Sequence, residues 1–214
     1  MKRIDATQPL PIPSTEDGIP ELTAWLEALS LGGHAGYQLL SPASFAAKRP
    51  TLYIETTIVS FLAGWISRDS RTAKMQLMTR GWWASHRHKH NLYVSDIVYQ
   101  EASKGDDDVA QERRGILEPL TVLHPSDQTR ELATLILAEC RLPEREYNDA
   151  HHAAISAIHG IEVLLTWNCS HLANENMIPR IGRACEAYGY APPAILTPQH
   201  LIGACAYGSP VSLP

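Results

Sequence analysis

The sequence predicts an α/β fold in which a parallel sheet is covered on both faces by helices, giving three layers. Short strand patterns alternate with longer helical ones after residue 50. No hairpin turn signal separates the strands. They are apolar along their length, as strands buried between two helical layers are.

The elements follow in order. Thr51–Ile54 reads as a short buried strand, and a long helix is expected over Ser70–His86. Asn91–Ser95 is a second strand, followed by helices at Asp96–Ser103 and Asp107–Glu118. Leu120–Leu123 is a third strand, with helices expected at Asp127–Cys140 and Glu144–His159, the latter stopping at Gly160. Ile161–Thr166 is the clearest strand pattern. A helix at Ile178–Tyr188 then leads to a strand at Ala194–Leu196 and a short helix at Pro198–Ile202. In such sheets ligands sit beyond the carboxyl ends of the strands, so chemistry is sought there.

Residues 1–50 differ in composition. They hold six prolines, and Leu22, Trp25, Leu26 and Leu29 recur at helical spacing between Pro20 and Gly32-Gly33. One amphipathic helix in a Pro/Gly-rich extension is expected, its apolar stripe covering the main domain or a neighbouring subunit. The domain is placed at 51–205, with a C-terminal tail at 206–214.

Of the 214 residues, 44% are hydrophobic and 19% charged, as in a folded core. No apolar run approaches the roughly 20 residues that span a bilayer. A cytoplasmic protein with no membrane association is expected. The four cysteines form no C-x-x-C pair, so buried thiols are expected rather than a zinc ribbon or disulfide framework. A net charge of −5 gives no overall attraction to nucleic acid, and binding there needs local basic patches.

Three carboxylates stand out by position. Glu55 directly follows the first strand, Glu101 lies one to two turns into the helix after the second, and Asp149 opens Asn148-Asp149-Ala150-His151-His152. Small residues at 150, 153, 154 and 157 allow that helix close packing on the sheet. Carboxylates brought together repel, and a divalent cation resolves the conflict. Hard oxygen ligands suit Mg²⁺ or Mn²⁺, which can lower the pKa of a bound water and neutralise charge on a phosphodiester. Singly, such an acid is usually a solvated residue or a helix-terminus charge.

Four segments carry a resemblance. Y-I-E-T-T-I-V-S at 53–60, V-S-D-I-V-Y-Q-E-A-S-K-G-D at 94–106, N-D-A-H-H-A-A at 148–154 and L-L-T-W-N-C-S-H-L-A-N at 164–174 resemble, in order and spacing, the motifs of PIN-domain proteins. The match covers about residues 51–203. It implies a PIN-like α/β/α fold with about five parallel strands, an acidic pocket for Mg²⁺ or Mn²⁺, and hydrolysis of RNA. Many such proteins are VapC-type toxins neutralised by a small antitoxin protein, and many are homodimers. Glu55 stands where the family usually has its first aspartate, Glu101 matches the second acidic position and Asp149 the third. At the fourth, within T-W-N-x-x-H, this chain has Asn168 and His171, and a neutral ligand there weakens a second metal site.

The resemblance thus implies a metal-dependent endoribonuclease with Glu55, Glu101 and Asp149 as catalytic and metal-binding residues. The alternative is a catalytically weak or inactive module on the same fold that binds RNA or protein. Thr56 and Thr57 could donate hydroxyls to the metal shell or a phosphate, or serve as a helix cap. Asn168 could reach a metal-bound water or merely shape a turn.

His86, His88 and His90 are expected to splay apart rather than bind metal, with Arg80, Arg87 and Lys89 as contacts to the RNA backbone. His152, three residues after Asp149, is expected to pack or hydrogen-bond. Of Trp82 and Trp83, which could stack bases, a core role is expected.

Overall fold

The structure, a computed structural model, describes residues 49–206. The expected helix of the N-terminal extension, and the tail beyond 206, lie outside the described residues.

Five parallel strands form one sheet in the order β3-β2-β1-β4-β5. They are β1 (Thr51–Ile54), β2 (Asn91–Ser95), β3 (Thr121–Leu123), β4 (Val163–Leu165) and β5 (Ala194–Leu196). The register pairs Thr51 with Asn91 on one side of β1, and Leu52 with Val163 on the other. Central position explains composition: Leu52, Tyr53, Ile54, Leu164 and Leu165 are all fully buried. The order reverses between β1 and β4, where a crevice opens beyond the carboxyl ends of an α/β sheet.

The helices are α1 (Thr56–Leu62), α2 (Ser70–His86), α3 (Asp96–Ala102), α4 (Asp107–Leu117), α5 (Asp127–Cys140), α6 (Tyr147–Ile158), α7 (Ile178–Ala187) and α8 (Pro198–Ala206). They pack mainly within two groups, α5–α6–α7 and α1–α2–α3–α4–α8, giving the expected outer layers. On α6 the expected small face is present: Ala150, Ala153, Ala154 and Ala157 are all buried. Among the described residues no helix is long and apolar enough to cross a membrane.

Several boundaries differ from expectation for local reasons. Helix α1 was not expected, because Thr56-Thr57-Ile58-Val59 is β-branched and strand-like. The Glu55 side chain starts it by accepting from Thr57 N at 3.0 Å. The expected helix at 144–159 divides into a 3-10 turn at Glu144–Glu146 and α6. Strand β4 starts only at Val163, as the Glu162 N–H donates to the Thr51 side chain at 2.9 Å instead of to a neighbouring strand's backbone. Cys140 and Cys185 are buried, but Cys169 is exposed, which corrects the expectation of buried thiols throughout.

Helix α5, against which α6 packs, begins with a capping box: Ser126 Oγ accepts from Thr129 N, and Thr129 Oγ1 accepts from Ser126 N. Ser126→Ala is expected to cost about 1 kcal/mol. A lower urea midpoint with unchanged metal binding is the expected reading.

Candidate metal centre

The switch point between β1 and β4 gathers the polar residues. Glu55 leaves β1 there, its amide donating to Leu165 O at 3.1 Å. Its carboxylate is 4% exposed and accepts from Thr57 N, from Thr57 Oγ1 and from Thr166 Oγ1 at 2.8 Å. Thr57 Oγ1 accepts in turn from Trp167 N at 2.8 Å, tying α1 to the segment after β4. Both threonines thus brace carboxylates: Thr56 Oγ1 donates to Glu101.

Glu101 reaches the crevice from the last turn of α3. Asn148 Nδ2 donates to its Oε1 at 2.8 Å, and His152 Nε2 lies 3.2 Å from its Oε2. His152, buried on α6, has its other ring nitrogen 2.8 Å from Tyr53 Oη, which is 2.6 Å from Ser95 Oγ. Tyr53 and Ser95 are fully buried and come from β1 and β2. The ring is therefore held from behind by the sheet, with Nε2 aimed at the carboxylates. Donor atoms of Glu55, Glu101 and His152 all lie within 4.8 Å of one another.

Asp149 falls in an adjoining group. Its Oδ2 is 2.8 Å from His171 Nδ1, and Glu146 Oε2 is 3.4 Å from the same nitrogen. Asn168 Oδ1 accepts from His171 N at 3.1 Å, so this amide shapes the turn that presents the imidazole. Glu55 and Glu101 thus group with His152, and Asp149 with Glu146 and His171. The two groups adjoin because Asn148 binds Glu101 and Asp149's charge acts on His152.

Electrostatics separates the two glutamates, Glu55 buried and Glu101 partly exposed. Burial raises the Glu55 pKa, outweighing the His152 charge and the hydrogen bonds from Thr57 and Thr166. Burial also opposes ionisation of Glu101, but the hydrogen bond and charge of His152, with Thr56 and Asn148, hold it down at about 2. For His152, burial is outweighed by the Glu101 hydrogen bond and by the charges of Glu55, Glu101 and Asp149, and its pKa rises. Protonated, the ring donates to Tyr53 Oη and to Glu101, and Tyr53 donates onward to Ser95.

The basic candidates are not in this crevice. Arg80 donates to Gly64 O at 2.6 Å and Phe61 O at 3.4 Å, anchoring the connection between α1 and α2. Arg87 and Lys89 occupy a 3-10 turn before β2, at the opposite end of the sheet. Glu146, Tyr53, Ser95 and Thr166 had no role in the sequence reading, and His152 was given only packing or a hydrogen bond. His152 had one local signal, its i+3 spacing from Asp149 on one helix face.

Thr166 tests the bracing. It is fully buried, donates to Glu55 and accepts from Asn168 N at 2.9 Å. Thr166→Val keeps the shape and removes both bonds, an expected loss of about 1–3 kcal/mol in chemical denaturation.

No family model and no curated protein matches the sequence. Among solved structures the chain is similar to Mycobacterium tuberculosis VapC20, described as a sarcin-ricin loop cleaving toxin. The two are 17% identical, the alignment covers 67% of this chain and 100% of that one, and the TM-score is 0.45.

Proposed function

We propose that this chain is a metal-dependent endoribonuclease with its catalytic domain at residues 51–205, acting as the toxin of a type II toxin–antitoxin pair. The observation that carries the reading is the convergence of Glu55, Glu101 and His152 donors within 4.8 Å at the switch point of a parallel sheet. The PIN-like motifs at those positions support it. The two carboxylates are hard oxygen donors suited to a divalent cation, so they fit the Mg²⁺ or Mn²⁺ that the resemblance implies.

Glu55, Glu101 and Asp149 are the proposed ligands, with His152 the cationic partner that holds Glu101 in place. When bound, the ion supplies a water of lowered pKa and neutralises charge on the phosphodiester. The chain's own part is preorganisation. Thr57 and Thr166 fix Glu55, Thr56 and Asn148 fix Glu101, and Tyr53 fixes the plane of His152. His171, partly exposed and hydrogen-bonded to Asp149, is the proposed contact to a substrate phosphate.

In this reading the protein works in the cytoplasm on RNA, as a homodimer restrained by an antitoxin protein. Trp65 at 94% exposure, Leu77 at 61% and Ile66 at 41% offer apolar surface for such protein contacts.

One observation favours the second reading, a binding module without catalysis. Every acceptor bond just described satisfies Glu55 and Glu101 from within the chain, as a purely structural polar core also requires. Calorimetric titration of Mn²⁺ into the protein separates the two. Saturable binding that Glu101→Gln weakens by at least about 10-fold is expected for a metal centre; no binding heat selects the module.

A further inference from the structure

A cleft of about 590 Å³ lies at the far end of the sheet, between the end of α2, the start of β2 and the segment entering β3. Trp83, Arg87, His88, His90, Tyr93 and Ile116 are among its walls. Four features give it a chemical character.

The first is charge. The chain carries −5 overall, yet none of the described residues lining this cleft bears a carboxylate, while an arginine and two histidines do line it. The second is aromatic surface. Trp82 is fully buried, as a core residue, but Trp83 is only half-buried and opens into the cleft. Tyr93 adds a second partly exposed ring.

The third is the pairing of the two. The Arg87 guanidinium sits 5.2 Å from the centre of the Trp83 ring, a cation–π arrangement that presents a flat, positively charged plate at an exposed residue. The fourth is the neighbourhood. Lys89, exposed in the same 3-10 turn, adds a cation beside the mouth.

From these we infer that the cleft binds a segment of single-stranded polynucleotide, one base lying against the Trp83–Arg87 plate and the adjoining phosphate meeting Arg87 and His88. Stacking on aromatic and guanidinium planes tolerates any base, and a cationic groove follows the backbone. An acidic peptide would satisfy the charges but leave the rings unused.

The site is separate from the metal centre. Asn91 pairs with Thr51, and Glu55 lies four residues further along β1. At a strand rise of about 3.3 Å per residue that is about 13 Å along the sheet. The inference rests on the cleft alone, and a chain without nuclease activity would still carry the site.

Fluorescence anisotropy of labelled 12-nucleotide single strands, RNA and DNA, tests it with the full chain in EDTA, where cleavage is silent. Both strands are expected to bind, more weakly as salt rises. A clear preference for RNA assigns RNA as the natural source of the ligand, and equal binding assigns single strands of either kind. Arg87→Glu is expected to raise Kd at least about 10-fold, and Trp83→Leu at least about 5-fold. Arg183→Glu, the same charge change on α7, is expected to stay within about twofold.

Should Trp83→Leu fail to fold, Arg87→Glu on the surface still decides. The inference is overturned by absence of binding, by equal weakening in Arg87→Glu and Arg183→Glu, or by a polyglutamate peptide competing as well as RNA. Loss of cleavage with intact binding here counts against the nuclease reading alone.

Discussion

Glu101→Gln is expected to lower RNA cleavage by at least about 100-fold. Loss of a residue that merely orients a metal ligand costs about 10- to 100-fold, and removing a ligand's charge should cost no less. The amide keeps the size of the carboxylate, and its oxygen can still accept from Asn148. Its nitrogen cannot accept from Thr56 or His152, so two braces and one negative charge go together. Single-turnover cleavage over a range of Mn²⁺ concentrations separates weaker metal binding from slower chemistry. Wild-type rates in the variant would remove Glu101 from the site.

The largest effect on stability is expected from His152→Ala, about 3 kcal/mol in EDTA, because it leaves the buried Glu55 and the partly buried Glu101 without their cationic partner. For a chain of this size that corresponds to a fall in Tm of about 6–12 °C. Added Mn²⁺ should recover part of it by binding only the folded state.

The pH dependence has a definite sign. Glu101 is held at about 2 against an ordinary value of 4.5, so its contribution is present above 4.5 and fades as pH falls towards 2. The His152 pKa is raised above 6.5, so its contribution is full below 6.5 and fades as pH rises through the folded value. The gap between wild type and variant should therefore be widest between pH 4.5 and 6.5, the window set by those two shifts. Melting curves across that range check it, and a variant as stable as wild type at pH 6 would show that the pair contributes nothing.

The sheet was legible because its signals are local: each strand is a short apolar run bounded by a helix pattern. Helix α1 was hidden because Thr56–Leu62 has strand-like residues and owes its helicity to capping by Glu55 and to packing against α2. Glu55 and Asp149 could be singled out because one follows a strand and the other opens a helix next to the carboxyl end of the sheet, and Glu101 because it lies in the helix that follows β2. Their grouping could not. His152 meets Tyr53 across 99 residues of chain and Glu101 across 51, contacts that only the folded register creates. Arg87 and Lys89 precede β2 and Glu55 follows β1, so in a parallel sheet they lie at opposite ends, a separation already implicit in the expected strand positions.

The most direct test of the account is cleavage of a mixed RNA pool by wild type and by Asp149→Asn, each with Mn²⁺, with Mg²⁺ and with EDTA. Metal-dependent cleavage by wild type, silenced by EDTA and lost in Asp149→Asn, is the predicted result. Equal cleavage by both proteins, or none by wild type with either metal, would contradict it.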